Sequence, residues 1–292
     1  MPNPLPFRRV AILGTGLIGG SLALALRKHF PDIVTVGFDR PDGLEQARAR
    51  NVVHETSAEI ASAVRGADLV YVALPIVAAI EALPAIAAAA EPGALVTDAG
   101  STKAAICNIA NEHFDNRSDG GAQFLGGHPM AGKEHSGVEY ADADLFRRAP
   151  YILIGTEEHA SERAKNFLKL LRAIGAEPSW CDSDTHDWAV GIVSHLPQLV
   201  AVALARVVQD ETDETGLPLS LAGHGLQDTL RLAGSPYSVW RDILLTNKDN
   251  VSRALDRLAQ AVDYLRTRLA SKELEQEFQS ANELYKHLRK LP

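Results

Sequence analysis

Apolar positions follow two regimes along the chain. Up to about residue 181, short apolar runs alternate with helical stretches; beyond it only the helical spacing persists. The runs at 10–13 (VAIL), 32–39, 52–54, 68–74 (DLVYVAL) and 94–97 are too short for helices. They are rich in β-branched residues and read as buried strands. Between them, 21–27, 42–50, 57–65 and 77–90 have helical composition, with Ser57 expected to cap the third. Strand and helix in alternation predict a right-handed parallel sheet covered on both faces. A helix over 103–114 follows, then a polar loop at 117–123. The stretch 124–138 (FLGGHPMAGKEHSGV) fits neither period and is expected to be an irregular loop that holds side chains in place. A strand at 151–155, an amphipathic helix at 161–174 and a strand at 177–181 close the first unit. From 184 to 209 the pattern predicts one long helix kinked at Pro197. Shorter helices are expected within 217–234 and 238–245, and long ones over 250–270 and 272–291. Val251, Leu255, Leu258, Val262 and Leu265 recur on one helical face and form a packing stripe.

Between the first strand and the first helix stands Gly14-Thr15-Gly16-Leu17-Ile18-Gly19. Strand, Gly-x-Gly-x-x-Gly and helix in that order form a dinucleotide-binding unit. The first glycine allows the tight turn and the second lets a pyrophosphate approach the backbone. The third lets helix and strand pack, and the helix N-terminus offers unpaired N–H groups to phosphate. Asp39 comes twenty residues after Gly19, where an acid can take both ribose hydroxyls. Its carboxylate repels a 2′-phosphate, so NAD is the expected cofactor; Arg40 beside it leaves room for some NADP use. Leu74, Pro75 and Ser101 follow strands four and five and join the cofactor-binding set. The expected architecture is an α/β Rossmann-type N-terminal domain over 1–182 and an all-α C-terminal domain over 183–292.

The 292 residues carry a net charge of −8, which argues against a nucleic-acid or anionic-membrane surface. Two cysteines without a C-x-x-C spacing suit a reducing compartment and no cysteine metal site. The N-terminus lacks the apolar core of a signal peptide, and the apolar stretch 70–90 is broken by Pro75, Glu81 and Pro84. A cytoplasmic protein is expected. A helical unit of about 110 residues is short of core by itself, so a homodimer through its long helices is expected, burying about 2,000 Å² or more if obligate.

Ser101 lies just beyond a strand end, placed either to reach the nicotinamide or to cap the next helix. His128 in a Gly-Gly-His-Pro turn is a candidate acid or base. His195 and Gln198 belong to Ser-His-Leu-Pro-Gln on the long helix. His224, Asp228 and Arg231 share a helical face. Arg231 in an apolar frame either holds a substrate carboxylate or pairs with Asp228. No metal-ligand spacing is present.

Together these pieces resemble the prephenate/arogenate (cyclohexadienyl) dehydrogenase family over nearly the whole chain. The matching segments are ILGTGLIGGSLA (12–23), TDAGSTK (97–103), GGHPMAGKEHSG (126–137), VSHLP (193–197), DTLRLAGS (228–235) and WRDI (240–243). Other two-domain reductases share only the first, and a non-catalytic NAD-binding protein would not need Ser101, His128 and Arg231. The resemblance implies a helical dimerisation domain and NAD-dependent oxidative decarboxylation of a cyclohexadienol in tyrosine biosynthesis. His128 matches the catalytic histidine, and Ser101 the serine supporting the substrate hydroxyl. Arg231 matches the arginine on the substrate carboxylate, and Glu134 an acid shaping the pocket. Asp228, Trp240 and His195 match supporting positions. Many relatives carry histidine where this chain has Gln198. A neutral side chain there points to prephenate, with arogenate, or both, as the alternative.

Overall fold

The computed structural model describes residues 6–114, 120–133, 135–212 and 214–289. Six parallel strands form the main sheet: β1 (Arg9–Leu13), β2 (Val34–Phe38), β3 (Glu55–Ser57), β4 (Leu69–Val72), β5 (Leu95–Asp98) and β6 (Gln123–Leu125). Their connections are α1 (Leu17–His29), α2 (Pro41–Ala49), α3 (Ile60–Val64), α4 (Ile76–Ala89) and α5 (Ala104–His113). The spatial order is β3-β2-β1-β4-β5-β6. Chain direction across the sheet reverses between β1 and β4, which opens a crevice at the carboxyl ends. Val10 and Ile12 enter one core layer with Leu26 and Tyr71; Ala11 and Leu13 enter the other with Val70, Val72 and Ile86. With both faces covered, each strand reads as a continuous apolar run.

A second sheet of order β7-β8-β9 follows: β7 (Gly127–Pro129), β8 (Pro150–Ile154) and β9 (Glu177–Cys181). The connecting helix α6 (Glu162–Ala173) starts at Ser161, whose Oγ accepts the Ala164 N–H at 3.2 Å. The helical remainder comprises α7 (Ser183–Val190), a π-helical turn (Gly191–His195), α8 (Leu196–Asp210), α9 (Leu217–Ser220) and α10 (His224–Leu230). A 3-10 turn (Arg231–Gly234), α11 (Tyr237–Thr246), α12 (Lys248–Arg266) and α13 (Leu274–Leu288) complete it.

Four expectations need correction. The stretch 124–138 is not wholly irregular, because it contributes to β6 and contains β7. Two of its glycines are there for close approach: a Cβ on Gly126 would lie 2.8 Å from Cys107 Sγ, and one on Gly127 2.8 Å from the Asp98 carbonyl. Pro129 is tolerated because β7 is an edge strand. Second, Val52 and Val53 are buried but not laddered; pairing begins at Glu55 opposite Val36. Third, Ser57 ends β3 and bonds Glu59 rather than capping α3. Fourth, Pro197 does not simply kink the long helix. A proline has no N–H for the carbonyl four residues back, and its ring crowds that carbonyl. The helix widens into the π turn immediately before it.

The α12 stripe is only partly internal. Val251 is buried, whereas Leu255, Val262 and Leu265 are exposed. Among the described residues one helical stretch, 183–210, is long and apolar enough to cross a membrane, with 28% of its apolar window buried. Its inner face carries buried His186, Asp187, His195 and Gln198; its outer face exposes Ile192, Val193, Val202 and Val207.

Candidate active site

The Gly14–Gly19 turn sits at the carboxyl end of β1. Gly14 has φ +93°, and a Cβ there would meet the Ala73 carbonyl at 2.4 Å; one on Gly19 would meet the Gly14 carbonyl at 1.9 Å. The first would push the turn away from the chain after β4, and the second would force α1 away from β1. A Cβ on Gly16 would touch nothing within 4 Å, so this side of the turn is open in front of α1. Gly16 caps α1 without a side-chain hydrogen bond, and Leu17 and Ile18 form its first turn. That arrangement fits a dinucleotide pyrophosphate. Asp39 follows β2. Its Oδ2 accepts the Thr15 N–H at 2.7 Å and the Thr15 hydroxyl at 2.9 Å, and its Oδ1 accepts the Arg40 N–H at 2.8 Å. The carboxylate is thus held at the turn, with Arg40 exposed beside it. Leu74 and Pro75 stand between β4 and α4.

Further along the crevice a cleft of about 720 Å³ opens between the sheet and the helical region. Ser101, His128, His195, Gln198, Arg231 and Trp240 all line it. Asp228, exposed on α10, is not part of the wall, and Glu134 lies outside the described residues. Lys133 and Arg231 are the cationic side chains of the lining; none of its described residues is acidic.

Ser101 does not cap α5. That helix begins at Ala104, and Asp187 of α7 caps it, its Oδ1 accepting the Lys103 N–H at 2.7 Å and its Oδ2 the Ala104 N–H at 2.9 Å. Beneath the turn, the fully buried Lys103 ammonium pairs with Asp98 and donates to the Gly127 carbonyl at 2.8 Å. Asp98 in turn accepts the Gly100 and Gly127 N–H groups at 2.8 and 3.1 Å. These bonds fix Ser101 and His128 relative to each other.

His128 is 8% exposed, on β7. Burial holds its pKa well below the usual histidine value, and His186, Lys103 and His195 depress it further. It is therefore neutral at pH 7 and able to accept a proton. Burial pushes His195 down to about 4, with His186 adding to the depression and Asp187 opposing it. Asn247 donates from Nδ2 to the Asp187 carbonyl at 2.7 Å and to His195 Nδ1 at 3.1 Å, its Oδ1 accepting from Asn250. His195 Nδ1 is then an acceptor, and its proton sits on Nε2. The ring stands edge-on to Trp240, centroids 5.8 Å apart, and Trp240 Nε1 donates to Ser235 Oγ at 2.9 Å.

A folded-state pKa near 4 against about 6.5 unfolded means the unfolded chain binds the extra proton. Stability from His195 is therefore complete above pH 6.5 and is lost as pH falls towards 4, on the order of 3 kcal/mol. Denaturant titrations from pH 7.5 to 4.5 should give a steeper decline for the wild type than for His195→Gln. Parallel declines would contradict this origin.

Sequence reasoning passed over Asp98, Lys103, His186, Asp187 and Asn247. His186 and Asp187 belong to no motif along the chain, and the contact of His186 with His128 of β7 joins residues 58 positions apart. Among the described residues no three His, Cys, Asp or Glu side chains are grouped to hold a metal ion.

Comparison with known proteins places similar sequences and folds in one family. A profile described as "Prephenate dehydrogenase, nucleotide-binding domain" matches residues 22–178, and one described as "Prephenate dehydrogenase, dimerization domain" matches 182–290. The chain is 35% identical over 276 residues to a prephenate dehydrogenase of Bacillus subtilis, covering 92% of this chain and 72% of that one. It superposes with TM-score 0.86 on prephenate dehydrogenase from A. aeolicus solved with hydroxyphenyl propionate and NAD+, at 28% identity and with 98% and 100% of the two chains covered. An arogenate dehydrogenase from Synechocystis gives TM-score 0.80 at 29% identity, with 96% and 99% covered.

Proposed function

The chain belongs to the prephenate dehydrogenase family, and from that premise we propose how its cleft converts prephenate to 4-hydroxyphenylpyruvate. The reaction is an NAD-dependent oxidative decarboxylation. One observation carries the assignment of roles: Ser101, His128 and Arg231, from different elements, line a single cleft.

When bound, NAD+ supplies the acceptor for the hydrogen that leaves ring C4 with its electron pair. His128 takes the C4 hydroxyl proton: the O–H bond breaks, an N–H bond forms, and C4 becomes a carbonyl carbon. Ser101 holds that hydroxyl in line with the imidazole. Arg231 pairs with a substrate carboxylate through its planar fork. The C1–carboxylate bond then breaks to release CO2, its electron pair makes the ring aromatic and passes to the C4 oxygen, and that oxygen takes back the proton from His128. The gain in aromaticity makes the step irreversible. Trp240 and the His195 Nε2–H form the wall around the substrate, and Gln198 meets its side chain. Asp228, three residues before Arg231, is assigned the supporting role beside it.

The charge of the lining favours prephenate over arogenate. Prephenate is a dianion, whereas arogenate adds an ammonium, and the described lining offers two cations and no carboxylate to receive it. The exposed apolar faces of α8 and α12 suit a homodimer, and the outer face of 183–210 then meets a second copy rather than lipid. A cytoplasmic homodimer divided at 182/183, with no nucleic-acid or membrane partner, completes the reading.

Steady-state rates at 340 nm with prephenate or arogenate, each with NAD or NADP, test both choices. The expected order is prephenate over arogenate, and NAD over NADP by about tenfold or more, since a fixed carboxylate at Asp39 opposes a 2′-phosphate. Asp39→Ser should narrow the cofactor ratio. A higher kcat/KM with NADP in the wild type would overturn the Asp39 argument, and one with arogenate the substrate choice.

A further inference from the structure

His128 has a partner that the chemistry above does not use. Its Nδ1 lies 2.9 Å from His186 Nε2, the rings set edge-to-face at 69°. His186 Nδ1 lies 2.8 Å from Asp187 Oδ1. Both side chains on α7 are buried, at 2% exposed each, and neither lines the cleft. Asp187 also accepts the Lys103 and Ala104 N–H groups.

We propose that His186 and Asp187 are positioning residues that hold His128 in the tautomer with its proton on Nδ1 and its Nε2 lone pair turned to substrate. The polarity of the chain follows from its far end. A carboxylate that takes two backbone N–H groups is an acceptor, so His186 Nδ1 donates to it. In the tautomer with its proton on Nδ1, the His186 Nε2 that faces His128 is the acceptor. Only a proton on His128 Nδ1 can fill that contact, which leaves Nε2 unprotonated. A histidine free to choose would spend part of its time with Nε2 protonated and unable to act as a base. As His128 takes the hydroxyl proton, its developing charge points through His186 at the Asp187 carboxylate.

The surrounding charged and titratable groups do not compete for this role. Lys103 of the turn before α5 is neutralised by Asp98 of β5, and its Nζ donates to the Gly127 carbonyl. His195 at the end of the π turn is bonded to Asn247. Cys107 on α5, its thiol pushed up to about 12 by burial, stays protonated. Asp187 also fixes the start of α5, so one side chain orients the base and anchors the turn carrying Ser101. Because α7 belongs to the helical region, the base is set only when that region is docked on the sheet.

This inference rests on the proposed role of His128, and the test separates the two. In the full-length protein with 15N-labelled histidine, long-range 1H–15N spectra near pH 7.5 should show His128 protonated at Nδ1 and bare at Nε2, assigned by loss of the signal in His128→Asn. His186→Ala should give a mixed or Nε2–H pattern and a kcat for prephenate lower by about tenfold or more, with the KM for NAD unchanged. His186→Gln, whose amide can accept from His128, should recover most of that loss. An Nε2–H tautomer in the wild type overturns the proposal, whether or not the variants fold. So does a His186→Ala kcat within about twofold of wild type, or a folded His186→Gln as slow as the alanine variant. An active wild type with any of those results leaves the dehydrogenase reading intact; an inactive wild type would remove that reading instead.

Discussion

Replacing His128 by Asn should lower kcat for prephenate by roughly 10²–10⁴-fold while leaving the KM for NAD nearly unchanged. The range is that of a positioned general base, and three features place His128 within it. Burial, with His186, Lys103 and His195 close by, keeps the ring uncharged at neutral pH. β7 is hydrogen-bonded to β8, with His128 opposite Ile152, so the backbone beneath the ring is rigid. The Asp98–Lys103 pair holds both Gly127 groups, the N–H on Asp98 and the carbonyl on Lys103. Asn matches the position of Nδ1 and can still meet His186, so the fold should survive. It presents no basic nitrogen to the cleft, so the hydroxyl proton has nowhere to go. NAD binding depends on the Gly14–Gly19 turn and Asp39, which this substitution does not touch. Stopped-flow or steady-state measurement at 340 nm reads the effect, and wild-type turnover in the variant would exclude His128 as the base.

Arg231→Gln should act on the other half of the reaction coordinate. Hydrogen bonds to charged groups contribute about 1.5–3 kcal/mol, so kcat/KM for prephenate should fall on the order of 10²-fold, chiefly through KM. The side chain stands on the 3-10 turn after α10, with Leu232, Val239 and Trp240 among its neighbours in the wall. Substrate entering that apolar frame removes water from the ion pair and strengthens it. Arg231→Lys should recover only part of the loss, because an ammonium cannot match both carboxylate oxygens with a planar fork. An unchanged KM for prephenate in Arg231→Gln would place carboxylate recognition elsewhere in the cleft, with Lys133 the remaining cation of the described lining.

The sheet was legible because its strands are buried on both faces. Val10-Ala11-Ile12-Leu13 and Leu69-Val70-Tyr71-Val72 have no exposed side to dilute the signal. The glycine turn was legible because its spacing is dictated by backbone contact distances, such as the Gly14 approach to Ala73. The edges were harder to read. At 52–54 the apolar side chains mark core packing and the ladder starts at Glu55, since composition reports burial and not pairing. At 124–138 glycines read as loop formers were close-approach positions beside Cys107 and Asp98. In the helical region, the stripe at Leu255, Val262 and Leu265 has the spacing of a core but lies exposed in the single chain. Amphipathic spacing says that a face will be covered and not by which chain.

By itself the sequence determined the alternation of layers, the dinucleotide turn with its acid at Asp39, and a short set of polar side chains suited to the chemistry, Ser101, His128 and Arg231 among them. These are local matters: periodicity, backbone sterics and residue type act over a few positions and leave their mark there. Only the tertiary structure decided that those three side chains share one cleft, that Asp187 rather than Ser101 caps α5, and that His186 stands behind His128. Such contacts join residues 58 to 84 positions apart, and no local pattern encodes them. They exist because the helical region docks on the sheet, and docking removes water from a carboxylate, two imidazoles and an ammonium that must then satisfy one another.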